Sequence, residues 1–242
     1  MDRQVYERME EVDGHHWWFV ARRHILHKLI ARHVPVRRGL RILEVGCGTG
    51  SNIPMLRTFG SVEAIEPDHP ARAVAAVRTG AAIQGGHLPD GVRLEDGAYD
   101  LIVLLDVLEH IPNDVEALKA LRPKLAAGGR ILLTVPGMPW LWSAHDVAHH
   151  HHRRYTWARL RDTLGAAGFR PRHRSHFNTL LFPLVVLARA IGKLTGREGG
   201  DDAPPPAWIN GLLKRIFGAE RLWIGRVSVP FGVSLAVVAE PA

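Results

Sequence analysis

Arg41 to Asn52 reads RILEVGCGTGSN, a short apolar strand that runs directly into a glycine-rich turn. Ile42, Leu43 and Val45 have the near-continuous apolar character of a strand covered on both faces. Gly46, Gly48 and Gly50 then let the backbone turn tightly and approach a ligand with no side chain in the way. A helix is expected from about Ser51. The spacing is G-x-G-x-G, one residue shorter than the G-x-G-x-x-G that cradles a pyrophosphate at a helix N-terminus. A nucleoside-like ligand without a pyrophosphate suits it better than a nicotinamide dinucleotide.

Outward from this stretch, strands and helices alternate. Strands are expected at 41–46, 62–66, 81–84, 99–106, 129–135, 169–177 and 233–240, with helices at 17–34, 51–58, 70–79, 114–126 and 156–167. The order implies a Rossmann-like α/β fold: a doubly wound seven-stranded sheet with helices on both faces. At 242 residues and 46% hydrophobic content the chain is long enough for one domain with a full core. Within it, 1–38 reads as an N-terminal helical cap, 39–177 with 231–242 as the core, and 178–230 as an insertion between the last two strands.

Glu44 to Gly50 resembles the first motif of the class I S-adenosylmethionine (SAM) dependent methyltransferases, in its E-V-G-C-G-x-G form. Glu66, at the end of the second strand, matches the acid that takes both ribose hydroxyls in that fold. Asp106-Val-Leu-Glu-His110 resembles the family's fourth-strand motif, and His15 to Arg23 (HHWWFVARR) resembles the segment that lies over the cofactor in relatives of the quinone-biosynthesis methyltransferases. Core packing of Trp17 and Trp18 is the other reading of that segment. The resemblance implies SAM as cofactor, a mostly parallel sheet with an antiparallel final strand, and a cofactor-binding set of Glu44, Gly46, Cys47, Gly48, Gly50, Asn52, Glu66, Pro67, His87, Leu88, Asp106 and Val107. Asp106 would serve the methionyl ammonium side. Glu44 would steady the turn, or be a buried charge paired with Arg41 or Arg22. One departure stands out: many relatives carry an aspartate for the adenine amino group after the third strand, where this chain has Gln84-Gly-Gly-His87-Leu-Pro89. His87, backbone near Leu88, or Gln84 would take that role.

Methyl transfer from a sulfonium needs a positioned nucleophile and a group to take its proton. The loop His145-Asp-Val-Ala-His149-His-His-His152-Arg-Arg-Tyr155 is the first place to look. His145 and His149 share a helical face at i, i+4, with Asp146 available to orient them or to join a metal site. Three readings stay open for this loop: general base, divalent metal, or a structural cluster. No metal is assigned. His110 is a second candidate base, or a helix cap. Arg153 and Arg154 would suit a phosphate or carboxylate on the acceptor.

The insertion opens with Leu180 to Leu194, apolar almost all round yet too short to span a bilayer, followed by a polar, proline-rich linker over 195–206. Ala207 to Arg226 then reads as a helix with Trp208, Leu212, Ile216 and Trp223 on one side and Lys214, Arg215, Arg221 and Arg226 mostly on the other. Contact with a membrane surface through 180–194 and 207–226, a lid over a hydrophobic acceptor, and plain packing or dimerisation are the three readings of this segment. Nothing sets an oligomeric state.

The formal charge of +7 is spread along the chain without the aromatic interleaving of an RNA platform, which argues against nucleic acid as partner. A lone cysteine, Cys47, and an acidic, polar start point to a cytoplasmic protein, peripheral to the inner face of the membrane where the insertion touches it. The expected reaction is O-methylation of a hydrophobic or lipid-linked small molecule. C- or N-methylation of a soluble one and a non-catalytic SAM-fold scaffold are the alternatives.

Overall fold

The computed structural model describes residues 10–35, 39–195 and 205–242. The Arg37/Arg38 pair, most of the 195–206 linker and the start of the N-terminal cap lie outside these residues.

Helix α1 (Trp17–His33) leads into β1 (Leu40–Val45), the short α2 (Ile53–Leu56), β2 (Gly60–Ile65), α3 (His69–Thr79), β3 (Ala82–Gln84) and β4 (Tyr99–Leu105). Then follow α4 (Asp114–Leu121), β5 (Leu125–Pro136), α5 (Ala144–Ala148), α6 (Trp157–Ala166), β6 (Phe169–Phe177), α7 (Phe182–Thr195), α8 (Ala207–Ala219) and β7 (Ser234–Pro241). The seven strands form one sheet in the order β3-β2-β1-β4-β5-β7-β6. Pairs among β1 to β5 are parallel, and β7 lies antiparallel between β5 and β6.

Alternation along the central strands splits the core in two. Ile42, Leu101 and Val103 face Ile25, Leu26 and Leu29 of α1, while Leu43, Ile102 and Leu104 face Leu118 of α4 and Leu160 and Leu164 of α6. Because β1 and β4 are neighbours and their crossovers leave on opposite sides, a crevice opens above their carboxyl ends, where open α/β sheets bind ligands.

Three boundaries differ from expectation. Helix α4 stops at Leu121 and a 3₁₀ turn, Arg122–Lys124, follows, because Pro123 cannot donate to the helix. Strand β5 therefore starts at Leu125, and Gly128-Gly129 sits in a register shift between the pairs Tyr99/Leu125 and Leu101/Arg130. Helix α8 ends at Ala219 instead of continuing to Arg226, since Glu220 turns inward to bond the chain at 178–180. Arg221 and Arg226 are consequently not on the helix. Helix α2 is a single turn.

Candidate functional site

One cavity of about 810 Å³ lies over the carboxyl ends of β1, β2 and β4. Its floor is the turn after β1. Gly46, Gly48 and Gly50 all have positive φ, and a Cβ on Gly46 would sit 2.6 Å from Val107 Cγ2, so the turn both needs glycine and packs directly on the end of β4. Of the sequence-predicted cofactor set, Gly46, Cys47, Gly48, Asn52, Glu66, Pro67, His87, Leu88, Asp106 and Val107 line the cavity; Glu44 and Gly50 do not. Gly50 instead makes room for α3, with Ala75 and Thr79 close to the space its Cβ would fill.

Glu66 is buried at the end of β2. Its Oε2 accepts from the Gly48 amide at 2.7 Å and its Oε1 from the Asp68 amide at 2.9 Å. A carboxylate oxygen can accept more than one hydrogen bond. Asp106 has φ of 59°, a left-handed conformation that aspartate tolerates better than most residues. Its Oδ2 takes Arg22 Nη2 at 2.6 Å and its Oδ1 takes the Thr134 hydroxyl at 3.1 Å, while the same Arg22 nitrogen donates to Thr134 Oγ1 at 2.9 Å. Arg22 comes from α1 and lies 4.9 Å from the centre of the Trp18 ring. Trp17 and Trp18 of the N-terminal segment line the cavity, and Trp17 also packs edge-on against Phe217 of α8.

Glu44 pairs with neither Arg41 nor Arg22. Its Oε1 accepts from Asn52 Nδ2 at 3.0 Å, tying the strand to the start of α2, while Oε2 is buried with no hydrogen-bond partner. Arg41 reaches Glu63 and Glu95. Burial pushes the Glu44 carboxyl up to about 7 against the pull of Asn52 and Arg22. A raised carboxyl binds its proton more tightly in the folded state, so its contribution to stability is greatest below about pH 4.5 and falls as pH rises to about 7. Glu44→Gln removes that slope. We expect the variant to gain about 1–2 kcal/mol on wild type between pH 4.5 and 8, less than the ~3 kcal/mol the pH dependence allows, because its amide donors stay unpaired. Urea unfolding at both pH values checks this.

The opposite wall holds the histidines. His145 on α5 and His149 at its C-cap bring their rings together with centroids 4.1 Å apart and planes tilted by 34°, as the i, i+4 spacing implies. Asp146 faces away from them. Its Oδ1 meets His151 Nδ1 at 2.9 Å and accepts from Arg154 Nε at 2.8 Å, and its Oδ2 caps the Ser143 amide at 3.0 Å. Burial raises the Asp146 carboxyl, but these bonds outweigh it and hold it well below the usual range. The histidine that Asp146 orients is therefore His151. The repeated histidines concealed it: the chain reverses at His150, with φ of 56°, which no spacing rule anticipates. Arg154 lines the cavity and Arg153 does not. Arg153 bonds the carbonyls of Ile111 and Pro112, and Arg154 the Gly137 carbonyl besides Asp146.

His110 lines the cavity beside His151, with ring centroids 4.8 Å apart. Burial, then the neighbouring imidazoles, lower it to about 3, so it is neutral near pH 7. Glu109 next to it is fully buried, and burial followed by the charge of Asp106 raises its carboxyl well above the ordinary range. Cys47 is buried and its thiol is pushed up by burial, as a packing residue requires.

Helix α7 closes the cavity. Val185, Ala188, Arg189 and Gly192 line it at helical spacing, and Arg189 touches the Ser143 hydroxyl. Outside, Leu184, Leu187, Ile191 and Leu194 are exposed. Among the described residues no helix is long and apolar enough to cross a membrane.

Residues 16–177 match the methyltransferase domain family. A ubiquinone biosynthesis O-methyltransferase of Roseobacter denitrificans is 33% identical over 97 residues, covering 38% of this chain and 39% of that protein. The chain thus spans about two fifths of the length of that curated relative. A methyltransferase solved in complex with the Haloferax volcanii Trm112 methyltransferase activator superposes with a TM-score of 0.65 at 16% identity, covering 98% of this chain and 94% of that one. Phosphoethanolamine N-methyltransferase 2 of Haemonchus contortus, solved with SAM, gives 0.60 at 14% identity over 90% and 52%. The chain belongs to the methyltransferase domain family, and its seven-stranded sheet is that of the class I SAM-dependent methyltransferases.

Proposed function

We propose that this protein transfers a methyl group from SAM to a hydroxyl of a hydrophobic small molecule, lipid-linked in its natural setting. The observation that carries the reading is a single cavity reaching from the glycine turn and Glu66, past Asp106, to the histidine wall and the inner face of α7. Its volume lies in the upper part of the range for small-molecule sites, about 300–1,000 Å³, leaving room for cofactor and acceptor together.

The residues present fit SAM. Backbone at Gly46 to Gly48 admits a close ligand, Glu66 offers two oxygens to a ribose, and Asp106 puts a carboxylate near the ammonium end. His87 and Leu88 line the cavity and Gln84 does not, which favours the former pair for the adenine. SAM supplies a methyl already activated for attack. The chain aligns the acceptor oxygen and receives its proton at one of the pocket imidazoles, His110, His145, His149 or His151.

Helix α7 supports this acceptor class. Its inner face lines the cavity with Val185, Ala188 and Gly192 beside Arg189, and its outer face leaves Leu187 56% and Leu194 86% exposed. An apolar face on the element that covers the site suits adsorption to the surface in which an apolar acceptor is dissolved.

Methyl-labelled SAM incubated with the purified protein and a cell extract, then partitioned, tests this. Label is expected in the organic phase; label confined to the aqueous phase would contradict a lipid-like acceptor. Leu187→Glu with Ile191→Glu is expected to abolish co-sedimentation with anionic vesicles while leaving S-adenosylhomocysteine affinity within twofold. Unchanged sedimentation would remove α7 from the contact.

A further inference from the structure

We propose that Glu109, His110 and His151 bind one divalent transition cation, such as zinc, at the acceptor end of the cavity. One donor atom from each lies within 4.8 Å of the others, and all three residues line the cavity. Glu109 supplies the independent observation: it is fully buried, and neither carboxylate oxygen has a hydrogen-bond partner. Leaving such a group unpaired is costly, and metal coordination is one of the few ways to repay it. His151 Nε2 lies 4.0 Å from Glu109 Oε1.

The surroundings are those of a metal ligand set. Asp146 Oδ1 lies 2.9 Å from His151 Nδ1 and is itself fixed by Arg154, an arrangement that makes Nδ1 the donor and leaves Nε2 a lone pair towards Glu109. The His150 backbone holds the His110 ring. The His152 amide donates to the Glu109 carbonyl at 2.9 Å, so the two loops that carry the donors are tied together. Two imidazoles and one carboxylate select zinc, iron, cobalt or manganese over magnesium, and leave coordination positions open for an acceptor oxygen. A tetrahedral cation at about 2.1 Å from each donor draws them closer than they now stand, which side-chain rotation supplies. Cation binding stands without the methyl-transfer reading; a role in lowering the pKa of an acceptor hydroxyl rests on it.

The full chain, stripped with chelator and titrated with Co²⁺, reports coordination by its visible absorption. One equivalent is expected to bind, with Glu109→Gln and His110→Ala each weakening it at least about tenfold. The variant His152→Gln, which removes an exposed imidazole from the same loop, is expected to bind as wild type does. Saturable binding indifferent to both Glu109→Gln and His110→Ala, or no stoichiometric binding, would overturn the proposal. Glu109→Gln is nearly isosteric and His110→Ala stands in should it not fold. Titrating S-adenosylhomocysteine into the same samples separates the two readings: failure there, with cation binding intact, counts against methyl transfer alone.

Discussion

Replacing Glu66 by alanine is expected to weaken S-adenosylhomocysteine binding by about a hundredfold or more. A hydrogen bond to a charged group contributes about 1.5–3 kcal/mol, and in the proposed site this carboxylate accepts two from a ribose. In the structure it already accepts from the Gly48 and Asp68 amides, so the substitution also loosens the glycine turn and the entry to α3. Glu66→Gln keeps the side-chain volume but disturbs both sets of bonds. Its one carbonyl oxygen can keep a single amide bond, while its NH₂ group opposes the other amide. Calorimetric titration of both variants is therefore expected to show alanine and glutamine similarly impaired. Near-wild-type affinity in either would reduce Glu66 to a strut for the turn.

The second large effect concerns Glu220. This fully buried side chain accepts the amides of Asn178, Thr179 and Leu180 at 2.8, 2.6 and 2.9 Å, which clamps the end of β6 and the start of the α7 segment to the end of α8. Burial raises the carboxyl, and the three amide bonds pull it back. Glu220→Ala leaves these donors without partners in a largely closed site. At about 1–3 kcal/mol for each unsatisfied group, tempered by water entering, a loss of about 3 kcal/mol is expected in urea unfolding. Because the clamp positions α7, proteolysis there is expected to rise in the variant more than elsewhere. A loss below about 1 kcal/mol would show the clamp is not what holds α7.

The central sheet and the cofactor end were legible because both depend on local pattern. Apolar runs of strand length, glycines at positions of positive φ, and an acid ending each of two strands all follow from backbone geometry that short sequence fixes. Glu44 shows the limit: its burial could be read, but its partner could not, since Asn52 lies across a turn and Arg22 arrives from another element. Arg22 illustrates the same point. It neutralises Asp106 across 84 positions of sequence, and no spacing rule links them. In the histidine loop, period-based reasoning located His145 and His149 on one face but assigned Asp146 to them. A single left-handed residue, His150, turns the chain so that His151 takes Asp146 instead. Helix α8 was overextended because amphipathic periodicity continues through Glu220, whose burial is decided by the distant amides at 178–180.

The central claim is that the crevice above β1 and β4 holds SAM. Thermal unfolding with S-adenosylhomocysteine or NAD at equal concentration tests it most directly. At a hundred times its Kd a ligand adds about 2.7 kcal/mol to stability, which for a chain of this size raises Tm by about 5–10 °C. The account predicts a shift of that size with S-adenosylhomocysteine, lost in Glu66→Ala, and none with NAD. Protection by NAD and not by S-adenosylhomocysteine would contradict it.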